Sequence, residues 1–358
     1  MNLTDLKNTF RGKRVFLSGH TGFKGAWMLQ ILHLLGAEVK GYALAPEQDG
    51  DLYHLIAGDK LCHTSVIADI CDKQRLETEL VRFEPDFVFH FAAQALVRRG
   101  YELPSYTFFV NAQGTAHMLD AIRALQKPCI GVMITTDKVY ENPERGLPFK
   151  EDDKLGGYDP YSASKAAAEV VIDSYRRSFF NPDTYSVHHK AIAAARAGNV
   201  IGGGDYSPDR IIPDIVRAIQ SGKPVGLRNP ASVRPWQHVL EPLGAYLALA
   251  AGMVQNPVGL STAFNFGPYP SDLLSVEDLT KIFIRCFGEG SYTDMQQANA
   301  PHEAKLLLLD SAKAGKMLNW YPKMDAARAI EMTATWYAER NTSASDKCIS
   351  QIEAYFGN

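Results

Sequence analysis

Cysteine is scarce in this chain of 358 residues, and what there is does not cluster. Cys62, Cys71, Cys129, Cys286 and Cys348 are scattered, odd in number and without a Cys-x-x-Cys. That pattern indicates neither a disulfide framework nor a zinc site. An excess of charge is also missing. The formal net charge is −3, so nothing argues for nucleic acid or an anionic membrane surface as a partner. Long apolar runs are lacking. The longest, residues 243–254, is shorter than the roughly 20 residues that span a bilayer, and reads as a buried helix. Residues 1–14 have no apolar centre and do not read as a signal peptide. No internal repeat or low-complexity segment is visible. A composition 46% hydrophobic and 22% charged fits a soluble globular protein of one large or two fused domains. By default a cytoplasmic location is expected.

What is present begins with a strand, a glycine turn and a helix. Residues 14–18 form a short apolar run, followed at once by Gly19-His-Thr21-Gly22-Phe23-Lys24-Gly25 and a helical pattern to Leu35. Glycines let the backbone turn sharply and approach a pyrophosphate, while the helix N-terminus supplies N–H groups and positive potential. The alternation continues. Strands are expected at 38–44, 61–66, 87–91, 129–136 and 187–196, with helices at 72–83, 105–125 and 162–180. Such alternation argues for a parallel sheet covered on both faces. Ligands of such sheets sit at the carboxyl ends of the strands. The glycine turn, Ala92-Ala93, Thr135 to Lys138 and Arg196 to Asn199 all fall there and should share one crevice.

Tyr161 and Lys165 stand four apart at the start of the 162–180 helix, so they share a face. A lysine ammonium beneath a tyrosine hydroxyl favours the phenolate and draws its pKa below about 10. Such a tyrosine can take a proton from an alcohol. Taken alone, this spacing describes an ordinary amphipathic helix equally well.

The motifs together carry more. Thr21-Gly22-Phe23-Lys24-Gly25, Asp69-Ile70, Phe91-Ala92-Ala93, Asn111-Ala-Gln-Gly114-Thr115, Thr135-Thr136-Asp137-Lys138-Val139-Tyr140 and Tyr161-Ser-Ala-Ser-Lys165 follow one another over most of the chain. In order and spacing the chain resembles the extended short-chain dehydrogenases/reductases that act on nucleotide sugars. Their 4,6-dehydratases carry Thr-Asp-Glu at the fifth strand's end. Thr136-Asp137-Lys138, with Lys for Glu, resembles the CDP-glucose branch of that family.

The resemblance implies an α/β fold: a Rossmann-type doubly wound parallel sheet with a smaller C-terminal mixed α/β substrate lobe. Residues 1–197 would form the NAD-binding domain, with possible later returns to it. Residues 198–358 would mainly form the nucleotide-sugar lobe. It implies NAD held by Gly19, Thr21, Gly22, Phe23, Lys24, Gly25, Asp69, Ile70, Ala92, Ala93, Gln94, Asn111, Thr135, Tyr161 and Lys165. The second strand ends without an acid for the adenosine ribose, Glu47 being the first. Looser NAD binding, or a ribose contact from elsewhere, is therefore expected. No Arg follows to welcome a 2′-phosphate, so NAD is favoured over NADP.

In the resemblance's terms Tyr161 is the base for the 4-hydroxyl, Lys165 its partner, and Thr136 a hydrogen-bond donor to the 4-oxygen. Asp137 protonates the departing 6-hydroxyl, and Lys138 stands where relatives have the Glu that removes the carbon 5 proton. A water or Asp137 could move that proton instead, with Lys138 stabilising the enolate. Arg98, Arg210 and Arg234 are candidates to grip a diphosphate, because guanidinium forks bind it bidentately. Asn199, Arg234 and His302 are implied to line the nucleotide-sugar site. Trp236 and His238 read as structural. Two alternatives stay open: a thymidine-linked glucose as substrate, or 4-epimerisation or reduction. The product would serve deoxysugar synthesis of the lipopolysaccharide O-antigen type. Family members commonly dimerise through the helices matching 105–125 and 162–180, so a homodimer is expected, with Phe108, Ala112, Thr115 and Leu119 as apolar positions on the first.

Overall fold

The structure is a computed structural model that describes residues 1–144, 146–295 and 306–357. Seven strands form one parallel sheet: β1 (Arg14–Ser18), β2 (Glu38–Ala43), β3 (Thr64–Ile67), β4 (Phe87–His90), β5 (Cys129–Ile134), β6 (Lys190–Arg196) and β7 (Ala263–Asn265). Their order across the sheet is β7-β6-β5-β4-β1-β2-β3. The order reverses between β1 and β4, and the crevice outside the carboxyl ends of the strands at such a point is where ligands bind.

Side chains alternate along each strand, so a strand buried on both faces feeds two cores. Val15 and Leu17 of β1, Phe87 and Phe89 of β4, and Ala191, Ala193 and Ala195 of β6 enter one core. Phe16, Val88, Ile192 and Ala194 enter the other. The first core is closed by the Phe23–Leu34, Leu240–Gln255, Ala326–Ala338 and Ala344–Phe356 helices. The second is closed by Lys73–Phe83, Gly114–Ala124 and Pro160–Ser178. The alanines of β6 leave room for helices to approach on either side.

The strand–helix alternation breaks after β6. Val200–Ile201 pairs with Gln237–His238, Val225–Leu227 with Tyr292–Asp294, and Val233–Arg234 with Leu274–Ser275. The chain nevertheless returns to the sheet through the Leu240–Gln255 helix and β7. That helix contains the apolar run read as buried, and Leu243, Tyr246, Leu247 and Leu249 are fully buried.

Several elements differ from expectation. The segment 105–125 is not one regular helix: Pro104–Phe108 runs through a π turn at Phe109–Gln113 into Gly114–Ala124. Leu61 ends a short helical turn, Gly58–Leu61, and β3 starts only at Thr64. The 187–196 strand begins at Lys190, because Tyr185–His188 is helical and His189 reverses the chain at φ 53°. Within residues 232–239 lie two short strands, Val233–Arg234 and Gln237–His238, parted at Pro235, which has no N–H to give a ladder. The N-terminus forms a helix, Leu3–Phe10, begun by a capping box at Asn2 and Asp5. Its Leu3, Leu6 and Phe10 are buried on one face.

Candidate active site

The glycine turn leaves β1 at Gly19, whose φ of +74° is open to few residues but glycine. A Cβ there would lie 2.7 Å from the Ala92 nitrogen, and one at Gly25 would lie 2.0 Å from the Gly19 oxygen. Three segments therefore close on one another only because side chains are missing. Gly22 caps the Phe23–Leu34 helix without a side-chain hydrogen bond, so the first N–H groups of this helix are left for a ligand. Thr21 pins the turn by donating to the Leu44 carbonyl at 2.9 Å. Such a cradle fits a dinucleotide pyrophosphate.

His20 stands in this turn and is fully buried. One ring nitrogen, Nε2, lies 2.9 Å from Ser65 Oγ. The Tyr53 hydroxyl joins the same network, 2.7 Å from Asp59 and 2.9 Å from Ser65. Burial lowers the His20 pKa to about 4 against the pull of Asp59, so the imidazole is neutral at physiological pH. At the end of β3, Asp69 accepts from the Cys71 N–H at 2.9 Å, and Ile70 packs on Gly114.

Ala92 and Ala93 are half-buried at the end of β4. Gln94 and Asn111 lie behind them. Asn111 Oδ1 accepts from the Gln94 N–H at 2.9 Å, and its Nδ2 lies 3.0 Å from the Gln94 carbonyl and 2.8 Å from Ser164 Oγ. The Gln94 amide is bonded to Leu96 and Thr107. Both amides thus tie the β4 loop to the π turn and to the tyrosine helix. The sequence placed them against the cofactor; in the structure their polar atoms are engaged in the wall.

Tyr161 lies in the first turn of the Pro160–Ser178 helix, where Pro160 occupies an early position and Asp159 accepts from the Ser162 N–H at 3.0 Å. Lys165 is buried one turn on, and its Nζ donates to the Ile134 carbonyl at 2.8 Å. The expected lowering of the tyrosine pKa is not found. Burial pushes the Tyr161 phenol up to about 12, and Asp137 adds to the rise, while a Thr136 hydrogen bond and Arg210 oppose it. Lys165 is itself pushed down to about 8 by burial, against Glu169. The physical reason is that burial desolvates both groups, while the Lys165 ammonium is turned to the Ile134 carbonyl and is not among the charges that act on the phenol.

Thr136, Asp137 and Lys138 leave β5 in a tight turn, Asp137–Val139 being a single 3₁₀ turn. Asp137 is 2% exposed. Its carboxylate accepts from Thr136 Oγ1 at 2.8 Å and from Asn199 Nδ2 at 3.4 Å. It lines a small pocket with Gly198, Pro235, Gln237 and Leu309, between the sheet and the second lobe. Lys138 is half-buried beside it. Lys24 also faces this space. Burial, then Arg210 and Lys165, lower its pKa to about 8, with Asp137 and Asp205 opposing. Lys24, Lys165 and Arg210 thus crowd one crevice with two carboxylates, a field suited to an anionic ligand.

Arg210 is anchored by Asp205 at 2.9 Å and acts on Tyr161. Arg98 is exposed and paired with Asp209 at 2.9 Å across from the second lobe. Arg234 donates to the neighbouring Val233 carbonyl at 3.0 Å. His302 lies outside the described residues. Trp236 and His238 are buried as structural residues, and the His238 ring meets Trp27 edge-on at 5.9 Å. Arg196 and Gly198 lie at the crevice as the sequence places them, though without an expected role, whereas Asp205 and Glu169 were not anticipated. Glu169 had a visible signal, since it repeats the four-residue step from Tyr161 to Lys165.

Comparison with known proteins places this geometry. The profile of the family described as GDP-mannose 4,6 dehydratase matches residues 16–262. The chain is 42% identical over 331 residues to a CDP-glucose 4,6-dehydratase of Salmonella typhimurium, covering 92% of each chain. It is 29% identical to a dTDP-glucose 4,6-dehydratase of Streptomyces antibioticus, covering 91% of this chain and 92% of that one. Among solved structures, a dTDP-glucose 4,6-dehydratase double mutant of Streptomyces venezuelae, with NAD bound, superposes with a TM-score of 0.75 at 24% identity. That match covers 91% of this chain and 97% of the other. With its parallel sheet, its glycine cradle and its Thr136-Asp137-Lys138 turn facing Tyr161 and Lys165, the chain belongs to the GDP-mannose 4,6 dehydratase family of extended short-chain dehydrogenases/reductases.

Proposed function

We propose that the protein converts CDP-glucose to CDP-4-keto-6-deoxyglucose and water, as a cytoplasmic homodimer holding NAD. The observation that carries this reading is the buried Asp137 carboxylate, held by Thr136 and Asn199 in the turn that faces Tyr161. The 42% identity to a CDP-glucose 4,6-dehydratase supports the nucleotide.

The proton on carbon 5 of a hexose is not acidic. A ketone at carbon 4 makes it so, because the carbanion then becomes an enolate. Bound NAD supplies a reversible electron-pair acceptor that oxidises carbon 4 and later reduces carbon 6, without net redox change. The glycine cradle and the first turn of the Phe23–Leu34 helix would hold its pyrophosphate, with Asp69, Ile70, Ala92, Ala93 and Thr135 along the crevice and Lys165 near the nicotinamide ribose. Tyr161 takes the proton of the 4-hydroxyl in its phenolate form, which the Thr136 hydrogen bond and the Arg210 charge favour against burial, and Thr136 donates to the 4-oxygen. Asp137 carries a proton to the 6-oxygen as water departs, and Lys138 takes the carbon 5 proton and returns it to carbon 5 as carbon 6 is reduced. Arg210 grips the anionic substrate beside Tyr161, with Arg98, Arg234, Asn199 and His302 completing the nucleotide-sugar side. The NAD domain is 1–197, with the Leu240–Gln255 helix and β7 returned to it; 198–358 is mainly the substrate lobe.

The test is Asp137→Asn assayed with CDP-glucose. Loss of general-acid help lowers water loss by about 10²–10⁴-fold, while slow oxidation at carbon 4 still builds up the near-ultraviolet absorbance of reduced cofactor. Full turnover in this variant would mean an epimerase or reductase, which has no use for Asp137.

A further inference from the structure

One buried charge cluster beside the crevice is not used by this chemistry. Glu169 is 3% exposed and follows Lys165 by one helical turn. Its Oε1 accepts from Thr135 Oγ1 at 2.5 Å and from Arg196 Nε at 2.9 Å, and its Oε2 accepts from Arg196 Nη2 at 2.9 Å. Arg196, at the end of β6, donates from Nη1 to the Tyr140 hydroxyl at 2.6 Å and to the Glu151 carbonyl at 2.9 Å. Tyr140 in turn donates to Asn265 Oδ1 at 2.7 Å. The ends of β5, β6 and β7 and the tyrosine helix are thus tied together by one carboxylate and one guanidinium.

Two properties make this more than scaffolding. The Thr135 hydroxyl hangs from Glu169, and the next residue is Thr136, so the carboxylate fixes where the catalytic turn leaves β5. Glu169 also opposes the burial that strips charge from Lys165. The other groups facing Lys165 give no such help. His90, on β4, is held neutral by burial, its pKa lowered to about 3. Lys24, at the start of the Phe23–Leu34 helix, is a second cation. Tyr161, on the same helix, is a neutral phenol up to about pH 12.

We propose that Glu169, clamped by Arg196, is a positioning residue that holds the Thr135–Thr136 strand end and keeps the Lys165 ammonium charged. It acts through Lys165 and Thr135. The inference deepens the NAD-dependent reading above and rests on it for its meaning, though its primary readout needs no ligand.

The experiment follows the Lys165 side chain by NMR in lysine-labelled protein, with the signal assigned by its loss in Lys165→Met. In Glu169→Gln the titration midpoint is expected to fall by about one pH unit, because the opposing charge is gone. In Arg196→Gln it is expected to rise, because Glu169 then faces Lys165 alone. NAD binding should follow: above both midpoints it weakens by about tenfold in Glu169→Gln relative to the native chain. A single variant leaves a buried charge uncompensated. The double variant Glu169→Gln with Arg196→Gln therefore serves if Glu169→Gln fails to fold, and its midpoint should also fall. Unmoved midpoints, whatever the loss of stability, would overturn the proposal and leave the pair as scaffolding. A chain that shows the shifts yet turns over no CDP-glucose would fail the functional reading and not this one.

Discussion

A Cβ placed on Gly198 would sit 2.1 Å from the Asp137 carboxyl carbon, closer than side chains ever come. No other residue fits there while Asp137 keeps its bonds to Thr136 and Asn199. Gly198→Ala must therefore displace the carboxylate by about an ångström, and displacement of that order costs on the order of 10²-fold in rate. The expected outcome is a folded protein with native NAD affinity and about 100-fold slower water loss, measured by calorimetry and product formation. Asn199 has a related constraint. Its φ of 51° lies in the left-handed region, which asparagine tolerates better than most residues. Tyr161 shows the limit of reasoning by spacing. Four residues place a lysine on the tyrosine's face, but they do not say that both groups are desolvated, nor that Asp137 faces the phenol.

At the scale of elements, the parallel strands were readable because burial on both faces demands near-continuous apolar runs, as in Phe87–His90 and Lys190–Arg196. The π turn at Phe109–Gln113 was not readable. Its cause is tertiary: Asn111 must reach Gln94 and Ser164 together, and one wider turn aims it there. The same turn corrects the expected dimer face. Thr115 and Leu119 point into the core, whereas Phe108 is 39%, Phe109 48%, Val170 60% and Phe179 43% exposed. These are the residues from which we expect the homodimer to be built, since exposed apolar side chains on neighbouring helices mark interaction surfaces. Val170→Asp should give a folded monomer by light scattering with its unfolding temperature little changed. A dimer that persists would assign the interface to another face.

For the whole molecule, the sheet, its two-sided cores and the crevice at the strand ends followed from alternation and the glycine turn. The tie between lobes did not. It depends on contacts remote in sequence: Asn199 on Asp137, Arg210 beside Tyr161, and the sheet's last strand arriving after residue 260. Substrate identity is also a property of the whole crevice, because no single base-reading residue stands out in the sequence. The most direct measurement is to supply the purified protein and NAD with CDP-glucose, dTDP-glucose, UDP-glucose and GDP-mannose separately, and to read the alkali-induced absorbance of a 4-keto-6-deoxy sugar. CDP-glucose is expected to give a signal without accumulation of reduced cofactor. A signal with another nucleotide alone would contradict the substrate, and silence in every reaction would contradict the assignment of Asp137 and Lys138 to water loss.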